Sequence, residues 1–513
     1  MTTEIVLCAG ASPIAFGPAK ALIGLLGPEV RRTLPLPVRR SILHGFADRD
    51  PAAEAVSLTD GASLEGQIRY SLSERTDRVF AAYADAVSRA VEGPVRVRVT
   101  AAQHLDEGSR ALFTLLARTC EGWTVSLEPG RPQGRPHPAT GAAEQRIARL
   151  HATESPAEPD VEWLIARAQE YLHVGDAWTA LALLEPLAAR HGRPSLHQVL
   201  AVGHVMLGHP EKAERHYQAW ADLGRPLDRA RAKYGQSMLY ARHHQPYLHS
   251  ATRAAELLDS ALADLDQVVP GLEDEAGFDR VFNRNGYALL QFRAGEAEAA
   301  MAFVDQALAD LEDSSERNHL HRSVLLYNRA QILRRTGRTA EAVPQYRSLL
   351  QIDPHMPEYH MELAQCHMEA GDWRPAAEEL DLARDIDPWI PEGHSLRGQV
   401  AAAEGQPELA LDCHRRAWRL APQRADLAYA YAYAQAERED WQGVLDTLAD
   451  FTPAAVRGDL RADISACTAE ALLYLGRAHD AMQVLQEAAD LDEDDESIQD
   501  NLAAVTFLVM ADA

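Results

Sequence analysis

Residues 354–422 read PHMPEYHMELAQCHMEAGDWRPAAEELDLARDIDPWIPEGHSLRGQVAAAEGQPELALDCHRRAWRLAP. Pro354, Pro388 and Pro422 stand 34 residues apart, and Gly337, Gly371 and Gly405 keep the same step. So do Ala342, Ala376 and Ala410, and a fourth column of Ala330, Ala364 and Gly398. Four small-residue or proline columns in phase specify a stack of helix pairs. A small residue in the first helix lets the second approach closely, the glycine ends the first helix in a left-handed turn, the second alanine is the contact point of the second helix, and the proline stops it.

These columns resemble the tetratricopeptide repeat family. The resemblance implies a mainly α fold, a right-handed helical solenoid that binds partners rather than catalysing reactions. Outward from the regular units, pairs are expected at Val161–Ala189 with Gly175 and Ala180, at Gln198–Ala221 with Gly208 and Ala213, and around Gly295 with Ala300. A diverged pair is expected over Leu227–Gln267 with small residues at Gly235 and Ala254 or Ala255, another at Ala432 with Trp441, and a last one at Gly476 with Ala481, about eight in all over residues 158–495. Residues 496–513 carry a terminal helix that covers the end of the stack.

Residues 1–130 carry a different pattern. Ile5–Cys8, Val95–Thr100 and Thr124–Leu127 read as strands, with helices at Pro18–Leu26 and Arg75–Val91 and a capping box of Ser71 with Glu74, so a small parallel α/β domain is expected. Residues 131–157, rich in Pro, Gly and Arg at their start, read as a mobile linker with room for a helix at Ala142–Leu150.

The formal charge of −26 is uneven: residues 1–150 carry 18 basic against 16 acidic side chains, the remainder 32 against 60. An array of that sign repels phosphate backbones and anionic membranes, so neither nucleic acid nor membrane is an expected partner. The acidity is either a solvated outer surface or a match for a basic partner. Five cysteines with neither metal-ligand spacing nor close pairing suit a reducing cytosol, and the N-terminus lacks the basic and apolar segments of a secretion signal. Only three lysines among many arginines, with abundant alanine, suggest a high-GC bacterial source.

VRVRVTAAQHLDEGSRALFTLLAR, Val95–Arg118, resembles the second nucleotide-binding motif of the signal-transduction ATPases with numerous domains through Gln103, Leu105, Asp106, Ser109 and Leu112. Thr100 and Ala101 stand where that family has carboxylates, and no phosphate loop occurs: around Lys20 the spacing is wrong and Ala21 replaces the hydroxyl that would hold magnesium. The segment is either a degenerate nucleotide-binding domain or an unrelated α/β domain, without ATP hydrolysis. Gly10-Ala11-Ser12 is not a nucleophile elbow, because Ile14 replaces the glycine its turn needs; Ser12 reads as a helix cap.

Among 21 histidines, the resemblance places His204 and His367 at a packing tyrosine and His360 and His394 at a packing tryptophan, while His243, His244 and His249 lie in a less regular, exposed-looking stretch. Neighbouring residues on a helix diverge too far to share one metal. No catalytic, cofactor or metal residue is therefore expected.

The expected site is a partner-binding groove. Gln331, Gln365 and Gln399 recur at the 34-residue step, directly after the small residue of each first helix, on the face that in the resembled family lines the concave groove. Glutamine there is either a helix former on a wet face or a donor–acceptor pair for a peptide backbone. Beside it stand Tyr327, Arg334 and Arg335, then Met361 and Met368, then Ser395. The lysine and asparagine set with which chaperone-binding members of the family clamp a terminal carboxylate is missing.

The expected function is thus a non-catalytic scaffold or adaptor recruiting a peptide or partner enzyme. The alternatives are a nucleotide- or small-ligand-sensing regulator or enzyme built on the α/β domain, and a protein whose α/β domain docks the partner, through Arg31, Arg32, Arg39 and Arg40, while the array forms a homodimer.

Overall fold

Strands β1 (Thr3–Cys8), β2 (Val95–Thr100) and β3 (Trp123–Glu128) pair in parallel in that order, Leu7 facing Val99 and Val99 facing Leu127. The computed structural model describes residues 2–10, 14–27, 72–133, 142–154, 156–269, 271–311 and 316–511, with Pro35, Val38, Ile42, Ser57 and Leu58. Ser12, Ser71 and the Arg31, Arg32, Arg39 and Arg40 cluster lie outside the described residues, as does most of the Pro/Gly-rich start of the expected linker. Two compact units emerge, Met1–Tyr359 and His360–Ala513.

In the first unit, Ile5, Leu7, Val95, Val97 and Val99 turn one face of the sheet inward, where α1 (Gly17–Leu26), α2 (Leu72–Ala90) and α3 (Glu107–Thr119) pack. The other face is polar, with Arg98 bridging Glu128 at 2.8 and 2.9 Å. Alternation of β-branched and charged residues along β2 dictates that division. The buried Tyr83 hydroxyl donates to the Ala19 carbonyl at 2.8 Å and binds α2 to α1.

Helix α4 (Ala142–Ala152) lies inside the expected linker and buries Ile147 and Leu150 in the same core as Val161 and Leu164. Its Arg146 pairs with Asp160 at 2.6 Å and lies 4.1 Å over the Trp163 ring. Five helix pairs follow: α5 (Glu158–His173) with α6 (Ala177–Ala188), α7 (Pro194–Met206) with α8 (Pro210–Leu223), α9 (Pro226–Met238) with α10 (Ala251–Leu265), α11 (Glu273–Arg293) with α12 (Ala297–Asp310), and α13 (Glu316–Arg335) with α14 (Thr339–Ile352).

The second unit begins within α15 (Pro357–Glu369), whose pair is α16 (Trp373–Ile386). Then come α17 (Pro391–Ala403) with α18 (Pro407–Leu420), α19 (Ala425–Ala436) with α20 (Trp441–Leu448), α21 (Asp459–Tyr474) with α22 (Ala478–Leu491), and the terminal α23 (Glu496–Ala511). The described residues hold nine pairs, one at each place named from the sequence, where the total was put at about eight; the diverged α9/α10 and α19/α20 are among them.

The repeat columns act as their chemistry requires. Gly175, Gly208, Gly295 and Gly337 in the first unit, and Gly371, Gly405 and Gly476 in the second, all take φ between +68° and +87° at the turn inside a pair. Ala180, Ala213, Ala300, Ala342, Ala376 and Ala481 are fully buried. Helices α14, α16 and α18 stop one or two residues before Pro354, Pro388 and Pro422. At Gly398 a Cβ would sit 2.6 Å from the buried His414 ring, so the small residue of that pair is fixed by the imidazole of its partner helix. Among the described residues no helix is long and apolar enough to cross a membrane.

Candidate partner-binding face

In the first unit the α/β layer is joined to the first helix pair. Trp178, at the start of α6, stacks on Phe80 with ring centres 5.4 Å apart and meets Phe16 edge-on at 5.5 Å. A Cβ on Gly108 would be 2.8 Å from the Trp178 ring, so only glycine permits that approach of α3. Around this aromatic joint lies a buried polar network. Asp176 accepts from Thr179 N–H at 2.9 Å and Thr179 Oγ1 at 2.6 Å, and Thr179 Oγ1 accepts from the Ala15 amide at 2.9 Å. Burial pushes the Asp176 carboxyl up to about 6, against the Thr179 hydrogen bonds and the charge of the buried Lys20.

Asp106 caps α3 through Ser109 and also accepts from the Phe16 amide at 3.3 Å. The Ala15 and Phe16 amides, just before α1, therefore meet Thr179 and Asp106, acceptors of this chain. Further along, the Leu58 amide donates to Asp353 at 2.8 Å and Arg78 pairs with Glu358 at 2.6 Å. N-terminal residues thus touch both the first pair of this unit and its last turn.

Of the expected groove residues in the first unit, Gln331 donates to the Tyr327 hydroxyl at 3.0 Å. The Tyr327 ring lies 5.6 Å from Tyr359 and 6.2 Å from Tyr346. Arg335 is exposed with its guanidinium 5.7 Å from the Phe292 ring, and Arg334 is half-buried. In the second unit, Met361 is buried in a core with Ala364, Ala376 and Val400, and Ser395 is buried too. Met368 and Gln365 are half-buried, and Gln399 is exposed. The column is therefore less open than a wet groove requires: Gln399 stands outward, Gln365 partly so, and Gln331 is held by its own helix.

One more 34-residue step reaches side chains that the sequence reading passed over. Tyr429 continues the column of Met361 and Ser395, and Tyr433 continues that of Gln365 and Gln399. Tyr433 is 53% exposed, and its ring lies 6.2 Å from Tyr429. On the next first helix, α21, Tyr474 is 65% exposed and stacks flat on Trp441 at 4.1 Å. The Tyr429 hydroxyl is pushed up to about 12 by burial and then by the negative charge of Asp463 on α21. Continuing the repeat register through the diverged pair would have found this face.

The histidines expected at packing positions are packed or partly so, whereas His249 is exposed. His204 and His394 are buried, His360 Nδ1 lies 2.6 Å from Glu379, His394 Nε2 lies 2.9 Å from the Pro388 carbonyl oxygen, and His367 is half-buried. His244 is buried beside the Tyr240 ring rather than exposed, because the chain closes there in a wide turn at Leu239–His243. A second cluster carries no sequence signal beyond helical spacing. His197 and His216 approach at 2.9 Å between their Nδ1 atoms, the His216 ring stacks on His204 at 5.4 Å, and His209 lies 5.9 Å from His204. Stacked rings direct their nitrogens alongside one another rather than to one point, and no group of three or more His, Cys, Asp or Glu among the described residues is placed to hold a metal.

Residues 333–400 match the tetratricopeptide repeat family model. No curated protein matches the chain. Among solved structures, YrrB, a TPR protein described as having an unusual peptide-binding site, is 18% identical, with 34% of this chain and 90% of that one covered at a TM-score of 0.30. PilF of Pseudomonas aeruginosa is 17% identical, covering 48% and 97% at 0.34, and the human IFIT1 dimer with PPP-AAAA is 12% identical, covering 69% and 85% at 0.44. Likenesses this partial say nothing of what the chain binds. Residues 333–400 thus carry tetratricopeptide repeats, and the described residues before and after them also form helix pairs.

Proposed function

We propose that the chain is a non-catalytic scaffold or adaptor that recruits a protein or peptide on the first-helix face of its repeats. One observation carries this reading: at the 34-residue step, the residues directly after the buried Ala364, Gly398 and Ala432 turn progressively outward, through half-buried Gln365 to exposed Gln399 and Tyr433. Packing explains the small residues of that register; it does not explain amides and a tyrosine held in phase beside them. A cytosolic setting suits the five free, buried thiols.

The test is a peptide display selected on the full-length protein, with each recovered peptide then titrated by calorimetry against wild type and Gln365→Ala/Gln399→Ala. Two net hydrogen bonds of roughly 0.5 to 1.5 kcal/mol each set the expected loss at roughly five- to a hundredfold. Peptides that bind equally to both proteins would place recruitment elsewhere, and selection of no peptide at all would remove the scaffold reading.

A further inference from the structure

We infer that the first-helix face at α19 and α21 is the docking surface and that its occupant is an extended basic segment, one that lays arginine or lysine side chains across exposed tyrosine rings. This rests on the scaffold reading above and names the partner's chemistry. The face leaves two large rings in water. Tyr433 and Tyr474 are 53% and 65% exposed, although a tyrosine ring left in solvent on a helix gains nothing for folding. Tyr474 is also held in place, since its stack on Trp441 fixes the ring plane. A ring fixed and open is prepared for a contact, and an electron-rich face attracts a guanidinium or ammonium within about 6 Å.

Charge selects the partner. Residues 360–513 carry 31 acidic against 11 basic side chains and no lysine. The acids on this face are not consumed internally. Asp463 and Glu470 on α21, and Glu437 just past α19, are exposed and have neither an ion pair nor a side-chain hydrogen bond among the described residues. Glu392 and Asp426, by contrast, are neutralised by Arg424. Asp463, Glu470 and Tyr474 follow one another at helical spacing along one side of α21, Glu437 stands one turn beyond Tyr433, and the charge of Asp463 reaches the Tyr429 hydroxyl, so carboxylates and rings share one surface across two helices. Aromatic faces for cation contact, with free carboxylates beside them, suit an arginine- or lysine-bearing chain and repel both an acidic peptide and a nucleic acid.

The probe is a capped decapeptide alternating arginine and alanine, titrated into the full chain by calorimetry beside its glutamine and glutamate counterparts. Only the arginine peptide should bind, weakening severalfold between about 50 and about 200 mM salt. Tyr433→Ala/Tyr474→Ala and the near-isosteric Asp463→Asn/Glu470→Gln should each weaken it at least about tenfold, the second pair also flattening the salt dependence. Removing two acids of α22 and its following turn, Glu487→Gln and Asp494→Asn, should change it less than about twofold, which separates a site from general attraction to an acidic protein. Circular dichroism on every variant excludes loss of fold as the cause.

Equal losses from the face and control pairs would overturn the inference. So would tighter binding of the glutamine or glutamate peptide, an outcome that leaves the scaffold reading standing if Gln365→Ala/Gln399→Ala weakens that peptide. Failure of all three peptides together with an empty display would sink both. Concentration-dependent dimerisation abolished by Tyr474→Ala would assign the face to a second copy and contradict the basic segment.

Discussion

His204 lies buried in a cluster of imidazoles, and that burial ties folding to pH. Burial, then the charges of His216, Lys212 and His209, hold its imidazole down to about 3, and burial with His197 holds His216 down to about 4. In the unfolded chain both titrate near 6.5. The unfolded state therefore takes up protons first as the pH falls, so stability is full above about 6.5 and is lost progressively below it, toward the folded values. Thermal melts should fall steeply from pH 7 to pH 5, and His204→Gln should flatten that slope while costing some stability at neutral pH. An unchanged slope would mean that these imidazoles are hydrated in solution. Helical spacing puts His197, His204, His209 and His216 within reach of one another, but nothing in residue type alone distinguishes a packed imidazole cluster from scattered polar positions. The repeat register placed His204 at a packing position, but its grouping with His197, His209 and His216 was not legible in the sequence.

At the level of the helix pair, the reading from sequence was nearly complete wherever the columns hold. Gly371, Ala364, Ala376 and Pro388 each perform the local task their size or ring dictates, and each does so within one pair, from contacts a few residues apart. Ala376 is fully buried, so Ala376→Leu should overfill the α15–α16 contact and cost roughly 1 to 3 kcal/mol in urea unfolding. No change in the midpoint would mean that α16 packs with a different register. Legibility failed where the columns lapse. In α19 the glycine turn is replaced by Glu439 at φ 60°, and without that marker the outward Tyr433 was not recognised as the next member of the glutamine column. Met361 and Ser395 are buried, which the repeat could not foretell: periodicity gives the face of a helix, whereas the depth of a side chain depends on how large its neighbours are.

The whole first unit depends on contacts that no repeat encodes. Trp178 meets Phe16 and Phe80 across 162 and 98 positions of sequence, and Leu58 reaches Asp353 across 295. Alternation along β2 predicted the sheet, but no local pattern records which helix pair it packs against. Trp178→Ala opens a hole between Phe16, Phe80 and Gly108, and a loss of about 3 to 5 kcal/mol is expected for an aromatic of this size. Monitored by hydrogen exchange, the variant should lose protection in β1, α1 and α3 together while α15–α22 keep theirs. Loss confined to α6 would show that the α/β layer holds without this joint.

The central claim, recruitment on the first-helix face, is tested most directly by hydrogen exchange on the full chain with and without the tightest peptide recovered by display. The predicted result is new protection in the first helices α17, α19 and α21, with the second helices α18, α20 and α22 unchanged. Protection confined to the second helices, or to the α/β layer around Lys20 and Asp106, would contradict it.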